Sequence, residues 1–221
     1  MGAGPGDRRG PALRVRPLPR LHAVTDARVL ALKDLGIRAA AIAAAGPSVA
    51  LHARDREATG AELTRAALRM QTLARPPQAS LFVNARADLA AAIGAQGVQL
   101  GGSDISSADA RRVFPAGWIG RSVHGVAEAS AAFSEGADFI VLGNVYESAS
   151  HPGRPGVGLP MVREASRLGG PVIAIGGITA ARAREVRDAG AYGVAAISAL
   201  WDASDPAAAA VALLAPWTEE A

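Results

Sequence analysis

The sequence predicts an α/β protein of the closed (βα)8, or TIM, barrel class, and three observations predict it. From Leu21 onward, eight short apolar runs that end in small or polar residues alternate with longer segments of helical period. The chain has 221 residues, which one eight-unit barrel nearly uses up. Half of the residues are hydrophobic and only 4% are aromatic, so the core is expected to rest on Ala, Val, Leu and Ile rather than on stacked rings. An open doubly wound sheet shares the alternation. Eight consecutive right-handed crossovers favour closure.

The candidate strands are Leu21–Thr25, Val49–Ala53, Ser80–Val83, Gly97–Leu100, Trp118–Ser122, Phe139–Leu142, Val172–Ile175 and Gly193–Ile197. Helical stretches are expected near Ala27–Leu35, Gly60–Leu73, Ala87–Ile93, Ser106–Val113, Val126–Ser134, Met161–Arg167, Ala180–Ala189 and Pro206–Leu214. Ser106 opens one of these and Thr179 precedes another, as capping residues do. Residues 21–215 are read as a single barrel domain. Residues 1–20, rich in Gly, Pro and Arg, are read as a disordered basic leader.

Charge and composition exclude several function classes. The net charge is +3, but the first 20 residues hold five of the 23 basic side chains and one of the 20 acidic ones. The remainder, 18 basic against 19 acidic, is close to neutral and offers no basic face for nucleic acid. The zero cysteine count excludes disulfides, a Cys nucleophile, Cys-ligated zinc and iron–sulfur clusters. No apolar run reaches the length of a membrane span and no secretory signal is evident, so a cytoplasmic, non-membrane protein is expected. The single lysine, Lys33, lies in a charged helical stretch, which disfavours a Schiff-base enzyme, and there is no GxxxxGK[ST].

In a closed barrel the chemistry sits where strands end and βα loops begin. Those positions carry His52 and Arg54, Asn84, Gln99, Ser122 and His124, and then Ser148, Ser150 and His151 in the long loop 143–159. A loop of that length in a compact barrel reads as a lid or binding loop. The last two strands run into Gly176–Gly177 and into Ala196–Ser198. Backbone amides at such turns and at the following helix N-termini form an anion pocket, and glycine lets a phosphate approach the main chain. His124 is the acid–base candidate, since its imidazole titrates near neutrality. In an extended strand it points to the same side as Ser122. No metal site is expected: Asp104 stands alone and Asn84 supplies only a neutral oxygen.

The ordered set HAVTD (22–26), HARDR (52–56), VNARADLA (83–90), GVQLGGSD (97–104), GRSVH (120–124), the 143–159 loop, PVIAIGGI (171–178) and AYGVAAISAL (191–200) resembles the thiamine phosphate synthase superfamily. That resemblance implies a (βα)8 barrel and two competing activities. The synthase couples hydroxymethylpyrimidine pyrophosphate to thiazole phosphate and uses Mg²⁺. The TenI-type thiazole tautomerase aromatises a carboxythiazole phosphate by moving a proton and needs no cofactor. The synthase pattern Gln-Leu-Arg-Glu-Lys is replaced by His52, Ala53, Arg54, Asp55 and Arg56, and Asn-Asp-Arg by Asn84, Ala85 and Arg86. Ala85 thus deletes a metal carboxylate, and His151 is the nearest equivalent of the loop lysine that meets pyrophosphate. Asp104 is synthase-like.

On these departures the expected activity is a thiazole tautomerase, an isomerase, with His124 as proton shuttle. The substrate phosphate would rest on Gly176, Gly177, Ala196 and Ser198, and Arg54 or a loop residue would face its carboxylate. The synthase, a Mg²⁺-using transferase, is the alternative, and a non-catalytic thiazole phosphate binding protein a third. The partner is then a small-molecule thiazole phosphate. The oligomeric state stays open, a homo-oligomer included.

Overall fold

A computed structural model describes residues 17–75, 78–147, 153 and 155–218. In chain order the elements are β1 (Leu21–Ala23), α1 (Ala27–Leu30), α2 (Leu35–Ala43), β2 (Val49–Ala53), α3 (Gly60–Ala74), β3 (Ser80–Asn84), α4 (Ala87–Ala92), β4 (Gly97–Leu100), α5 (Ser107–Val113) and β5 (Trp118–Val123). There follow α6 (Val126–Ser134), β6 (Phe139–Leu142), α7 (Gly158–Ser166), β7 (Val172–Ile175), α8 (Ala180–Asp188), β8 (Gly193–Ala196), α9 (Ser198–Trp201) and α10 (Pro206–Leu214). Each strand pairs in parallel with the next, and β8 pairs with β1 through His22↔Ala195, closing the barrel. Closure satisfies the two sheet edges that an open sheet would leave bare. No helix among the described residues is long and apolar enough to cross a membrane.

Helix starts follow local chemistry. Ser106 and Thr179 accept from the backbone N–H of Asp109 and Arg182, as their positions foretell. Thr59 and Glu62 form a reciprocal capping box at the start of α3. One expected helix differs. The segment Ala27–Leu35 is not continuous: α1 ends at Leu30, and a second helix starts at Leu35. Asp26 caps the first piece by accepting from Val29 N–H. The alanine-rich run after Arg38 is then spent on α2, whose buried face (Leu35, Ala39, Ile42, Ala43) lies against the barrel. The short α9 was not foreseen either. Its Trp201 donates from Nε1 to Val24 O at 2.8 Å, tying the end of β8 to that of β1. The packed chain also begins before Leu21, since Leu18 is buried and Arg20 N–H donates to Ser48 O.

The strand pleat sorts the core into two layers. Outward residues such as Leu51, Leu81, Val98, Ile140 and Ala174 meet the helices in a mantle of aliphatic side chains and alanine. Inward residues Ala50, Phe82, Phe139, Val141, Ile173 and Ala195 fill the barrel. Here the expectation of a ring-free core needs correction. The four rings of His22, His52, Phe82 and Phe139 pack together at the centre, with centroid separations of 5.0 to 5.9 Å. Few aromatics suffice because eight strands enclose little volume, and each ring fills much of one layer. The cost is glycine opposite the rings. A Cβ on Gly97 would lie 2.1 Å from Phe82 Cε1, and one on Gly120 would lie 2.2 Å from Phe139 Cζ.

Gly97→Ala is therefore expected to destabilise the fold by about 1–3 kcal/mol through overpacking, read as a lower urea midpoint. Adding Phe82→Leu should recover part of that loss, because the clash is with a side chain.

Candidate active site

The C-terminal ends of the strands form the mouth, and the inward residues become polar toward it. Thr25 closes the end of β1 onto β2: its Oγ1 accepts from Arg54 N–H at 2.9 Å and lies 2.8 Å from His52 O, to which it donates. Arg54 is half-buried at the rim, with Nη1 3.4 Å from Thr25 O. Among the described residues no carboxylate forms a salt bridge with it. Burial, and then the neighbouring Arg56, lower its pKa from the ordinary value. A partly desolvated guanidinium remains charged, and it favours an anion that restores its pairing.

Below the rim, His22, His52 and Asn84 form a chain. His22 Nε2 lies 3.0 Å from Pro19 O, His22 Nδ1 lies 2.8 Å from His52 Nε2, and His52 Nδ1 lies 3.0 Å from Asn84 Oδ1. Both rings are essentially unexposed, at 0% and 1%. His52 was expected to meet a ligand directly. It instead lies beneath the half-buried Asn84, the last residue of β3. Burial holds His22 well below its ordinary value, with the repulsion of His52 adding to it. Burial also lowers His52 to about 4, partly offset by its bond to Asn84.

On the next strands Gln99 Nε2 donates to Ser122 Oγ at 3.0 Å. Gln99 is almost fully buried and its Oε1 has no partner. His124 is exposed, and its Nδ1 lies 2.7 Å from Gly143 O. A carbonyl can only accept, so Nδ1 carries the proton there, and in the neutral ring Nε2 presents a lone pair. Its backbone N–H donates to Glu128 Oε2.

The glycine turn after β7 is shaped by the chain itself. Gly176 and Gly177 have φ of 100° and 62°. A Cβ on Gly176 would lie 2.6 Å from Asn144 Cα, and one on Gly177 would lie 2.6 Å from Glu147 O. The strand-six loop therefore lies on this turn, held by Val145 N–H on Ile175 O and Tyr146 N–H on Gly176 O. Tyr146 is clamped in turn: its hydroxyl donates to Glu185 at 2.6 Å and the Arg182 guanidinium lies over its ring. Burial, with the Glu185 contact, pushes the Tyr146 hydroxyl up to about 12. The same Arg182 donates to Gly177 O. These contacts occupy the carbonyls of the turn. Among the described residues, the N–H groups of Gly176, Gly177 and Ser198 meet no acceptor.

Ala196 is placed differently from expectation: its side chain packs in the outer mantle, so only its main chain faces the mouth, and its carbonyl accepts from Val24 N–H. Ser148, Ser150 and His151 lie outside the described residues. The partner role of His22 was missed. Its signal lay in the strand register, where His22 pairs with Ala50, two residues before His52 on the same face.

For a metal, the donor set is sparse. Asp104 Oδ2 accepts from Gly101 N–H at 2.6 Å, which leaves one oxygen for another partner. Among the described residues, no group of three or more His, Cys, Asp or Glu is placed to hold an ion. This fits a Mg²⁺ carried mainly by substrate oxygens on one carboxylate, and not a cage built by protein.

Residues 21–200 match the pattern described as thiamine monophosphate synthase. The chain belongs to this TMP-TENI family. It is 45% identical to the thiamine-phosphate synthase of Thermus thermophilus over 147 residues, covering 66% of this chain and 71% of the relative. Against the thiamine-phosphate synthase of Chromobacterium violaceum identity is 40% over 200 residues, covering 87% and 93%. The solved thiamine phosphate pyrophosphorylase of Pyrococcus furiosus superposes with a TM-score of 0.76 at 31% identity, covering 90% of this chain and 96% of that one. The expectation of a thiazole tautomerase, an isomerase, is overturned by these relatives, all named for a transferase activity. The departures at His52 and Ala85 do not outweigh identity spread over the barrel.

Stability should fall in mild acid. Because His52 titrates near 4 in the fold and near 6.5 when free, the unfolded chain binds the extra proton first as pH drops. Its contribution is fully present above about 6.5 and is lost progressively down to about 4, with His22 acting in the same direction. At pH 5 the loss from His52 is about 2 kcal/mol. Urea midpoints from pH 8 to pH 5 should show it, and His52→Gln should flatten the slope.

Proposed function

We propose that the chain is a thiamine-phosphate synthase that joins an aminopyrimidine pyrophosphate to a thiazole phosphate and releases pyrophosphate. The observation that carries this reading is the name shared by relatives 38–45% identical over 66–87% of the chain. The thiazole nitrogen forms a bond to the methylene carbon of the pyrimidine while the bond from that carbon to the pyrophosphate oxygen breaks. The electron pair of the broken bond leaves with pyrophosphate. No proton leaves the thiazole, so no general base is required.

The residues of the mouth then divide by charge. Turn N–H groups of Gly176, Gly177 and Ser198 suit the thiazole phosphate. Arg54, which forms no salt bridge with a described carboxylate, suits pyrophosphate and stabilises the charge that grows as it departs. Ser148, Ser150 and His151 belong to the loop expected to reach the same anion. When Mg²⁺ is bound, with Asp104 as its protein carboxylate, it neutralises charge on the pyrophosphate. His124 loses its role as proton shuttle. With Nδ1–H spent on Gly143 O, it offers Nε2 to the ligand as a hydrogen-bonding wall. Small phosphorylated substrates of this kind support a cytoplasmic location.

Incubating the purified protein with hydroxymethylpyrimidine pyrophosphate, thiazole phosphate and Mg²⁺ should yield thiamine phosphate. Absence of product from protein that binds both substrates by calorimetry would reject the reading. Arg54→Ala is expected to lower kcat/KM about 10–100-fold, the worth of one charge-assisted contact. Ala85 has φ of 67°, a conformation that Asp tolerates better than Ala. Ala85→Asp should therefore fold without added strain, and by supplying a second carboxylate it should lower the Mg²⁺ concentration needed for half-maximal coupling.

A further inference from the structure

The chain of polar groups through the barrel centre has a direction, and one atom sets it. Pro19 O can only accept, so the nitrogen 3.0 Å away, His22 Nε2, must carry a proton. A neutral His22 then has a bare Nδ1, which can only accept, and the atom facing it at 2.8 Å is His52 Nε2. His52 must donate there, which leaves its own Nδ1 bare. A bare Nδ1 needs a donor, and the group facing it is the Asn84 amide. Oxygen and nitrogen of an amide exchange places on a half-turn about χ2, and hydrogen bonding decides which is where. The opposite direction would set the lone pair of His22 Nε2 against that of a carbonyl with no water between them.

We propose that Pro19 O, acting through His22 and His52, holds the Asn84 amide with Nδ2 on His52 and Oδ1 toward the mouth, so that the site accepts a hydrogen-bond donor from its ligand at the end of β3. Asn84 is the binding group, and His22 and His52 are positioning residues. Burial keeps both rings uncharged, as the direction requires. The rings have little room to turn: His52 stacks on Phe82 at 5.2 Å and 22°, and His22 meets the edge of the same ring at 5.2 Å and 74°. Asn84 itself is half-buried at the end of β3, and its amide is the group that His52 Nδ1 meets. On the synthase reading, on which this step rests, the donor is the amino group of the pyrimidine. Pyrophosphate oxygens only accept, and Oδ1 turns them away toward Arg54.

Imidazole ¹⁵N NMR of the free protein at pH 7 tests the direction without any turnover. Both His22 and His52 are expected as Nε2–H tautomers with bare Nδ1. A protonated Nδ1 on His52 would overturn the proposal. His22→Phe keeps a ring beside Phe82 and Phe139 but removes the acceptor for His52 Nε2–H. His52 should then switch to its Nδ1–H tautomer as Asn84 turns, whereas a ring that merely fills space would leave the tautomer unchanged and sink the idea. Should that variant not fold, Asn84→Asp serves: a carboxylate cannot donate, so Nδ1 of His52 must become protonated, and a still-bare Nδ1 counts against the relay. In coupling assays His22→Phe should raise KM for the pyrimidine pyrophosphate about tenfold with kcat within about twofold. An unchanged KM beside a switched tautomer would remove the donor role of the ligand.

Discussion

A closed barrel of eight strands must fill its own interior, and in this chain four rings from four strands do so. The rest follows from that filling. Phe82 and Phe139 require Gly97 and Gly120 across from them, and two of the four rings are imidazoles, so a polar thread runs through an otherwise apolar layer. Isolated polar groups there would each cost free energy without a partner. The thread removes that cost by ending on Pro19 O below and Asn84 above. The interior is thereby linked to the mouth, and packing and binding are set by the same residues.

Much of the fold was legible in the sequence because parallel strands in a barrel read as short apolar runs, and four of the eight strands match their expected bounds. Less legible were features that depend on closure. The break between α1 and α2 is hidden because Asp26 caps α1, and Asp34 precedes α2, within a stretch whose period looks continuous. Composition shows that aromatics are few, but not that they meet at one level. Likewise Ala196 ends a strand beside a polar residue, yet the pleat turns its side chain to the helices. His52 lies at a strand end as expected, but its side chain is buried between His22 and Asn84, a placement that depends on the register of those strands.

The functional misreading has a similar cause. Individual departures from a motif were weighed as losses of chemistry: a missing carboxylate at Ala85 and a missing glutamine at His52. A site is a sum of charges and directions, and fold likeness alone does not fix activity. His124 looked decisive because imidazole suits proton transfer. In the structure its Nδ1 is engaged by Gly143 O, an arrangement that suits a base and a fixed acceptor equally. The local motif therefore could not choose between them, and identity along the barrel to relatives named thiamine-phosphate synthase weighs against the isomerase.

On the proposed reading, the change at residue 85 also alters the electrostatic balance. An aspartate there would add negative charge beside a substrate that already carries several, and would be favourable only while a cation bridges the two. Alanine removes that repulsion along with the metal ligand. With Arg54 at the rim free of any salt bridge with a described carboxylate, attraction for pyrophosphate rests more on a fixed guanidinium and less on a bridging ion. A neutral interior suits this arrangement: a charged imidazole pair beneath Asn84 would compete with Arg54 for the same anion and pull it off the line of departure. The depressed basicity of His22 and His52 keeps the positive field at the rim, where the leaving group must go.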